Sequence, residues 1–215
     1  LVYISIRLKV WQFWDAKSVS IKNFKPMLQY AWPMVPNELS MWVMRVSDRF
    51  VVTSFMGLGM NAVYSVANKI PSLITLAQGT LTLAWQENAA LSSKDDDVEK
   101  YYSEMFSVTF RLQAAFFGLV IATMPVLFPI LIKGSYDDAY AQMPILCLGI
   151  FFASMATYLG GIYVAYMRSK SVGITTTIAA VINIIVNLAL IKYIGLYAAS
   201  ISTLVSYVVL CSYRM

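Results

Sequence analysis

Glu38, Arg45, Asp48, Arg49 and Lys69 lie within Phe24 to Leu91, a stretch apolar enough for two membrane-spanning helices. A charge at membrane depth costs about 3 kcal/mol or more, so it persists mainly where it faces water, a partner charge or a substrate. Glu38, Arg45 and Arg49 are spaced i, i+7, i+11, which places them within about 40° of one another on a helix. Trp42 falls on the same stripe, and Asp48 lies about 80° to one side. On the next helix Lys69 shares a face with Ser65, Ser72 and Thr80. Three cations against one or two anions in a low-dielectric cavity attract an anion, and the arginine fork matches phosphate oxygens bidentately. The same residues also permit an ion-pair network that only fastens the two helices, with Arg49–Asp48 or Lys69–Glu38 as the pairs. Glu38 and Asp48 are the carboxylates available for charge balance or for a coupling proton or sodium ion. Further along, Glu104 and Arg111 stand at i, i+7, an entry-side contact for substrate or an interfacial pair.

These residues need elements that hold them at membrane depth, and the composition supplies them. With 59% hydrophobic and 13% charged residues, the chain cannot cover itself with a solvated surface, so a polytopic all-α membrane protein is expected. Six spans are predicted at roughly 26–55, 60–90, 102–132, 139–167, 171–191 and 195–213. Gly57 and Gly59, the segment Ser92 to Lys100, and the segment Lys133 to Tyr140 separate the first four. Short gaps after Arg168 and Lys192 make the last helices antiparallel neighbours. Pro33 and Pro36, just ahead of the charged stripe, suggest a hinge. Asn183 and Asn187 at i, i+4 read as interhelical hydrogen-bond glue, and Ser200, Ser202, Thr203 and Ser206 as close-packing residues. Tyr101, Tyr102, Tyr136 and Tyr140 sit where an aromatic belt would.

Residues 1–25 read as the end of a preceding span followed by a basic connector, and the opening at Leu1 without Met or a cleavable leader reads as a fragment. Arg7, Lys9, Lys17, Lys22 and Lys25, with Lys94, Lys100, Arg168, Lys170 and Arg214, fall on one side of the membrane. Lys133 and Lys192 fall on the other. The positive-inside rule makes the first side, and with it the N-terminal connector, cytoplasmic.

Several functions are excluded or disfavoured. The net charge of +5 is scattered at helix ends and forms no compact basic face for nucleic acid. Absence of histidine excludes a His-based metal site or proton relay. Cys147 and Cys211 fall at depths about 12 Å apart, too far for a disulfide. The acidic run Asp95 to Asp97 reads as a solvated loop. No phosphate loop, nucleophile elbow or Cys/His pair is present, so no enzyme, cofactor or metal is expected.

The runs YAWPMVPNELSMWVMRVSDRFVV, AVYSVANKIPSL, LAWQENA, SYDDAYAQMPIL and INIIVNLALIKYIG resemble the second half of polysaccharide (O-antigen-type) flippases of the multidrug/oligosaccharidyl-lipid/polysaccharide exporter superfamily. The resemblance covers about Phe24 to Tyr213. It departs from the family pattern at Ala62, Lys192 and Tyr197, which bears on local packing. It implies one six-helix lobe of a two-lobe, alternating-access transporter in the bacterial plasma membrane, with the N-terminal lobe of the same protein outside this chain. It also implies an undecaprenyl-pyrophosphate-linked oligosaccharide as cargo, flipped from the cytoplasmic to the outer leaflet. Membrane lipids, a polysaccharide polymerase and glycosyltransferases are the implied partners. The substrate-contacting positions are then Arg45, Arg49 and Lys69, with Trp42 and Arg111 beside them. A multidrug/cation antiporter of the same superfamily is the alternative, expected to carry a cavity dominated by carboxylates. A membrane enzyme of polysaccharide assembly would need a large outer loop, and the outer loops here are short.

Overall fold

A computed structural model describes residues 21–132 and 136–215. The expected end of a preceding span, most of the basic connector (residues 1–20) and Lys133 lie outside these. Seven helices follow in order: α1 (Ile21–Ala31), α2 (Met34–Ala67), α3 (Lys69–Ser92), α4 (Val98–Leu131), α5 (Asp137–Ala165), α6 (Ser169–Ile194) and α7 (Tyr197–Arg214). The described residues contain no strand. The fold is an all-α bundle of six long helices preceded by the short α1.

The first hairpin is made inside α2. Gly57 adopts φ 86°, ψ 176°, and the Tyr64 hydroxyl donates to the Asp48 carboxylate at 3.2 Å although the two are 16 residues apart. A straight helix would hold them about 24 Å apart. The chain therefore reverses at Gly57, where a positive φ costs a residue with a β-carbon roughly 1–2 kcal/mol and glycine nothing comparable. Residues 34–56 and 58–67 form the two arms, as the Gly57/Gly59 break predicts. The second arm runs almost directly into α3. Asn68 alone intervenes, its N–H bonded to the Tyr64 carbonyl at 3.1 Å and its own carbonyl accepting from Ser72 at 2.9 Å. Pro71, lacking an N–H, accounts for the interruption.

The start of the first span is corrected. Instead of one helix from residue 26, the chain makes α1, a turn at Trp32 and Pro33, and then α2. Pro33 cannot donate within a helix, whereas Pro36 falls in the first turn of α2, where no intrahelical acceptor is needed. The proline pair thus marks a break between two elements.

Packing follows from small residues. α7 lies along α5 and α6, α2 along α6, and α3 along α5, while α4 leans on α5. Ala198, Ala199, Ser200, Ser202 and Ser206 are buried on α7, which lets neighbouring backbones come close. Four stretches, Phe24–Ala67, Val98–Leu131, Asp137–Ala165 and Ser169–Ile194, are long and apolar enough to cross a membrane. α3 and α7, counted among the six predicted spans, fall outside that set; α7 has only 18 residues and turns its serines inward. On α4, Leu112, Leu119, Val126 and Ile130 are exposed, a face that a bilayer covers and water does not. The chain is a multi-pass membrane protein.

The two ends of the bundle differ in charge. The Tyr102 hydroxyl donates to the Ala89 carbonyl at 2.7 Å, Gly160 abuts the Arg214 guanidinium, and Gly173 abuts the Pro33 carbonyl. These contacts gather the start of α2, the α3–α4 and α5–α6 links and the end of α7 at one end. Lys25, Lys94, Lys100, Arg168 and Lys170 belong there. At the other end Gly195 meets Met56 and the Lys192 ammonium lies 6.0 Å from the centre of the Phe55 ring.

Candidate functional site

The 34–56 arm of α2 presents two faces. Asn37, Ser40, Met44, Asp48 and Val51 recur at helical spacing and are buried, packed toward α6 and α7. The neighbouring stripe of Glu38, Met41, Arg45 and Arg49 opens into a cleft. One part of the cleft, about 420 Å³, is lined by Arg45, Asp48, Arg49, Tyr64, Asn68 and Thr203 among others. A second part, about 270 Å³, is lined by Asn37, Glu38, Arg45, Thr82, Gln86 and Arg214 among others. Met41, Arg45 and Tyr207 line both, so the two parts adjoin. At 1.5 Å per residue Arg45 stands about 17 Å along the arm, close to its middle, and Arg49 lies nearer the Gly57 turn. The later start of α2 sets Arg45 near the middle of this arm, whereas a helix starting near Pro26 would place it about two thirds of the way along.

Asp48 is buried, at 4% exposure, and its carboxylate is held by neutral donors. Thr203 Oγ1 donates to Oδ2 at 2.5 Å and Tyr64 Oη at 3.2 Å. Asn187 Nδ2 donates to Oδ1 at 2.9 Å, with Ser202 Oγ at 3.4 Å. Ser47 Oγ donates to Asn183 Oδ1 at 2.8 Å beside them. None of these partners is a cation, so the proposed Arg49–Asp48 pair does not form. The Oδ1 of Asn187 is buried without a partner. The Asp48 carboxylate, hydroxyls of Tyr64, Ser202 and Thr203 and the Asn187 amide N–H, from four segments of chain, therefore meet at one buried point, a setting in which the carboxylate can hold a proton. Among the described residues no group of three or more Asp, Glu, His or Cys could hold a metal ion.

The other end of the cleft carries a chain of polar contacts. Arg214 is buried, at 8% exposure. Its Nη2 donates to Thr176 Oγ1 at 2.8 Å, its Nη1 to the Ala156 carbonyl at 2.9 Å, and its Nε to Thr175 Oγ1 at 3.2 Å. Thr176 Oγ1 donates to Asn37 Oδ1 at 2.7 Å, and Asn37 Nδ2 to Glu38 Oε1 at 3.0 Å. Two neutral side chains thus stand between Glu38 and Arg214. The sequence placed Arg214 among solvated loop charges. The structure places it inside, where Gly160 leaves the space: a Cβ there would lie 2.7 Å from Nη1.

The remaining candidates fall elsewhere. Trp42 is exposed, at 54%, and it and Lys69 line neither part of the cleft, although Asn68 beside Lys69 does. Arg111 is exposed on α4, next to Leu112 and Gln113, which line a crevice of about 280 Å³ between α3, α4 and α5 that meets the cleft at Thr82. Asn183 and Asn187 are interhelical glue as read, with Asp48 as the centre they hold. Tyr102 is buried, not belt-like, and packs edge-on to Trp85, which itself stacks on Tyr158 at 4.0 Å. Both cysteines are free and buried.

No protein-family model matches the sequence, and no curated protein does. Among solved structures the fold is similar to one titled "Crystal structure of MATE in the bent conformation", with a TM-score of 0.77 and 15% identity over 91% of this chain. That likeness shows the fold. The match covers 45% of that neighbour, so this chain spans less than half its length.

Proposed function

We propose that this chain is one lobe of an alternating-access membrane transporter that moves an undecaprenyl-pyrophosphate-linked oligosaccharide across the bacterial inner membrane. The observation that carries the reading is the pair Arg45 and Arg49, which line an open cleft inside the bundle while the nearest buried carboxylate, Asp48, is satisfied by neutral donors. Two guanidinium groups with unspent charge in a low-dielectric groove suit a diphosphate. The likeness to a MATE structure supports transport as the class of activity, and the runs quoted from the sequence support the polysaccharide branch. Lys69, Trp42 and Arg111 lie outside the cleft in this lobe, so their part in binding requires a second lobe or another conformation. The basic end of the bundle faces the cytoplasm in this reading.

Asp48 is the candidate coupling site. With the hydroxyls of Ser202, Thr203 and Tyr64 it offers oxygens to a proton or sodium ion, and Glu38 opens onto the same cleft. Those two carboxylates favour a second reading, an antiporter for a cationic compound. The test is translocation of lipid-linked oligosaccharide by the full-length protein in vesicles. Arg45→Ala and Arg49→Ala should each lower the rate at least tenfold, with the protein still folded. Flipping unchanged in these variants would remove the arginines from the substrate site, and no flipping by the wild-type protein, with cation-driven export of a cationic dye that is lost in Asp48→Asn, would establish the antiporter instead.

A further inference from the structure

On the outside of the bundle, away from the cleft and sharing no residue with it, a groove of about 480 Å³ runs between the Trp32–Pro36 bend and the first turns of α6. We propose that this groove binds an anionic phospholipid of the leaflet at the basic end, with an acyl chain along the groove and the phosphate on Lys170.

The wall is almost entirely carbon. Trp32, Pro33, Pro36, Gly173 and Ile174 supply most of it, and Lys170 brings the single formal charge. Thr177 also lines it, but its hydroxyl already donates to the Gly173 carbonyl at 2.8 Å and lies 3.0 Å from Ser40 Oγ. Besides Lys170, the indole N–H of Trp32 is the side-chain donor left in the wall, and the two are too few to recognise a water-soluble ligand in so apolar a groove. Gly173 lets α6 sit against the bend, because a Cβ there would collide with the Pro33 carbonyl oxygen. Trp32 is exposed, and an indole at this level of a membrane helix sits well at the headgroup boundary. Lys25 and Arg168 belong to the same end of the bundle, so the surroundings are basic and complement a negative headgroup. A zwitterionic lipid would fill the apolar groove equally well and could set its phosphate on Lys170, but its own ammonium group would then face the basic surroundings. The occupant with a net negative headgroup and two acyl chains is therefore the better fit.

The experiment uses the full-length protein in vesicles of brominated phosphatidylglycerol or brominated phosphatidylcholine diluted into unlabelled phosphatidylcholine. The emission of Trp32 is isolated by subtracting that of the Trp32→Phe variant. Half-maximal quenching should come at about fivefold lower mole fraction of the anionic lipid, the preference expected from one basic residue near the surface. Lys170→Gln should bring the two lipids together, and Ile174→Phe, which narrows the groove, should weaken quenching by both while helicity by circular dichroism is unchanged. Equal quenching of the wild-type protein by the two lipids overturns the proposal, as does a preference that survives Lys170→Gln. Absence of quenching by either lipid also overturns it, since another protein segment then covers the groove.

Discussion

Asp48 and Arg45 are three residues apart and meet opposite fates. One is turned into the packed face of α2 among neutral donors, and the other into the cleft. Removing the Asp48 side chain would orphan the donors of Tyr64, Asn187 and Thr203, while Ser202 keeps the Ala199 carbonyl at 3.0 Å. A buried donor left unpaired costs about 1–3 kcal/mol, and hydroxyls can partly turn away. Asp48→Ala is therefore expected to lose on the order of 3 kcal/mol of stability, and Asp48→Asn clearly less, in thermal unfolding of the detergent-solubilised protein. Equal losses in the two variants would contradict this account of the network. The need of Asp48, Arg45 and Arg49 for polar surroundings was legible in the sequence, because charge within an apolar run is costly wherever it occurs. Their partners were not. Helical spacing separates the faces of one helix, but which face meets α6 and α7 depends on packing, and nothing in spacing alone links Asp48 to Asn187 or Ser202. Arg214 was misplaced for a related reason: a basic residue after an apolar run looks like a loop charge until Gly160 is seen to leave room for it.

At the scale of elements, two glycines separate backbone strain from steric clash. Gly57 has a positive φ and nothing within 4 Å of where a Cβ would stand, so Gly57→Ala should cost roughly 1–2 kcal/mol through the backbone alone. Gly161 has an ordinary φ, but its Cβ would lie 2.6 Å from Trp85 Nε1. That indole is fixed by stacking on Tyr158 and by donating to the Tyr158 carbonyl at 2.9 Å. Gly161→Ala should therefore destabilise the α3–α5 contact, and the additional change Trp85→Leu should restore part of the loss. The same change in a Gly57→Ala background should restore nothing. Both effects are read by thermal unfolding, and rescue in both backgrounds would refute the distinction. The Gly57 turn was visible in the sequence because glycines interrupt an otherwise continuous apolar run. The break at Trp32 and Pro33 was read as a hinge within one span, since prolines signal a missing donor without saying whether the helix bends or stops.

For the whole molecule, the antiparallel order of helices places Ser93 and Lys192 at opposite ends. Cys147 and Cys211 are buried and make a quiet background for labelling. In cells, a membrane-impermeant maleimide should modify Lys192→Cys directly and Ser93→Cys only after permeabilisation; the reverse pattern would invert the orientation. The six-helix organisation and the charge asymmetry of its two ends follow from hydropathy and basic residues, so this level was the most legible in the sequence. A polar cleft beside the α2 arginines was expected too, but its other walls were not legible, because residues of α3, α5, α6 and α7 line it and spacing along α2 does not say which helices meet there. Its purpose is tested most directly by the binding of undecaprenyl diphosphate to the full-length protein in vesicles, compared with undecaprenol, the same lipid without phosphate. Wild-type protein should bind the diphosphate lipid with an affinity that falls as salt rises, and the double variant Arg45→Ala, Arg49→Ala should bind it at least tenfold more weakly while keeping its unfolding temperature. Equal binding by the double variant, with the same dependence on salt, would contradict the account.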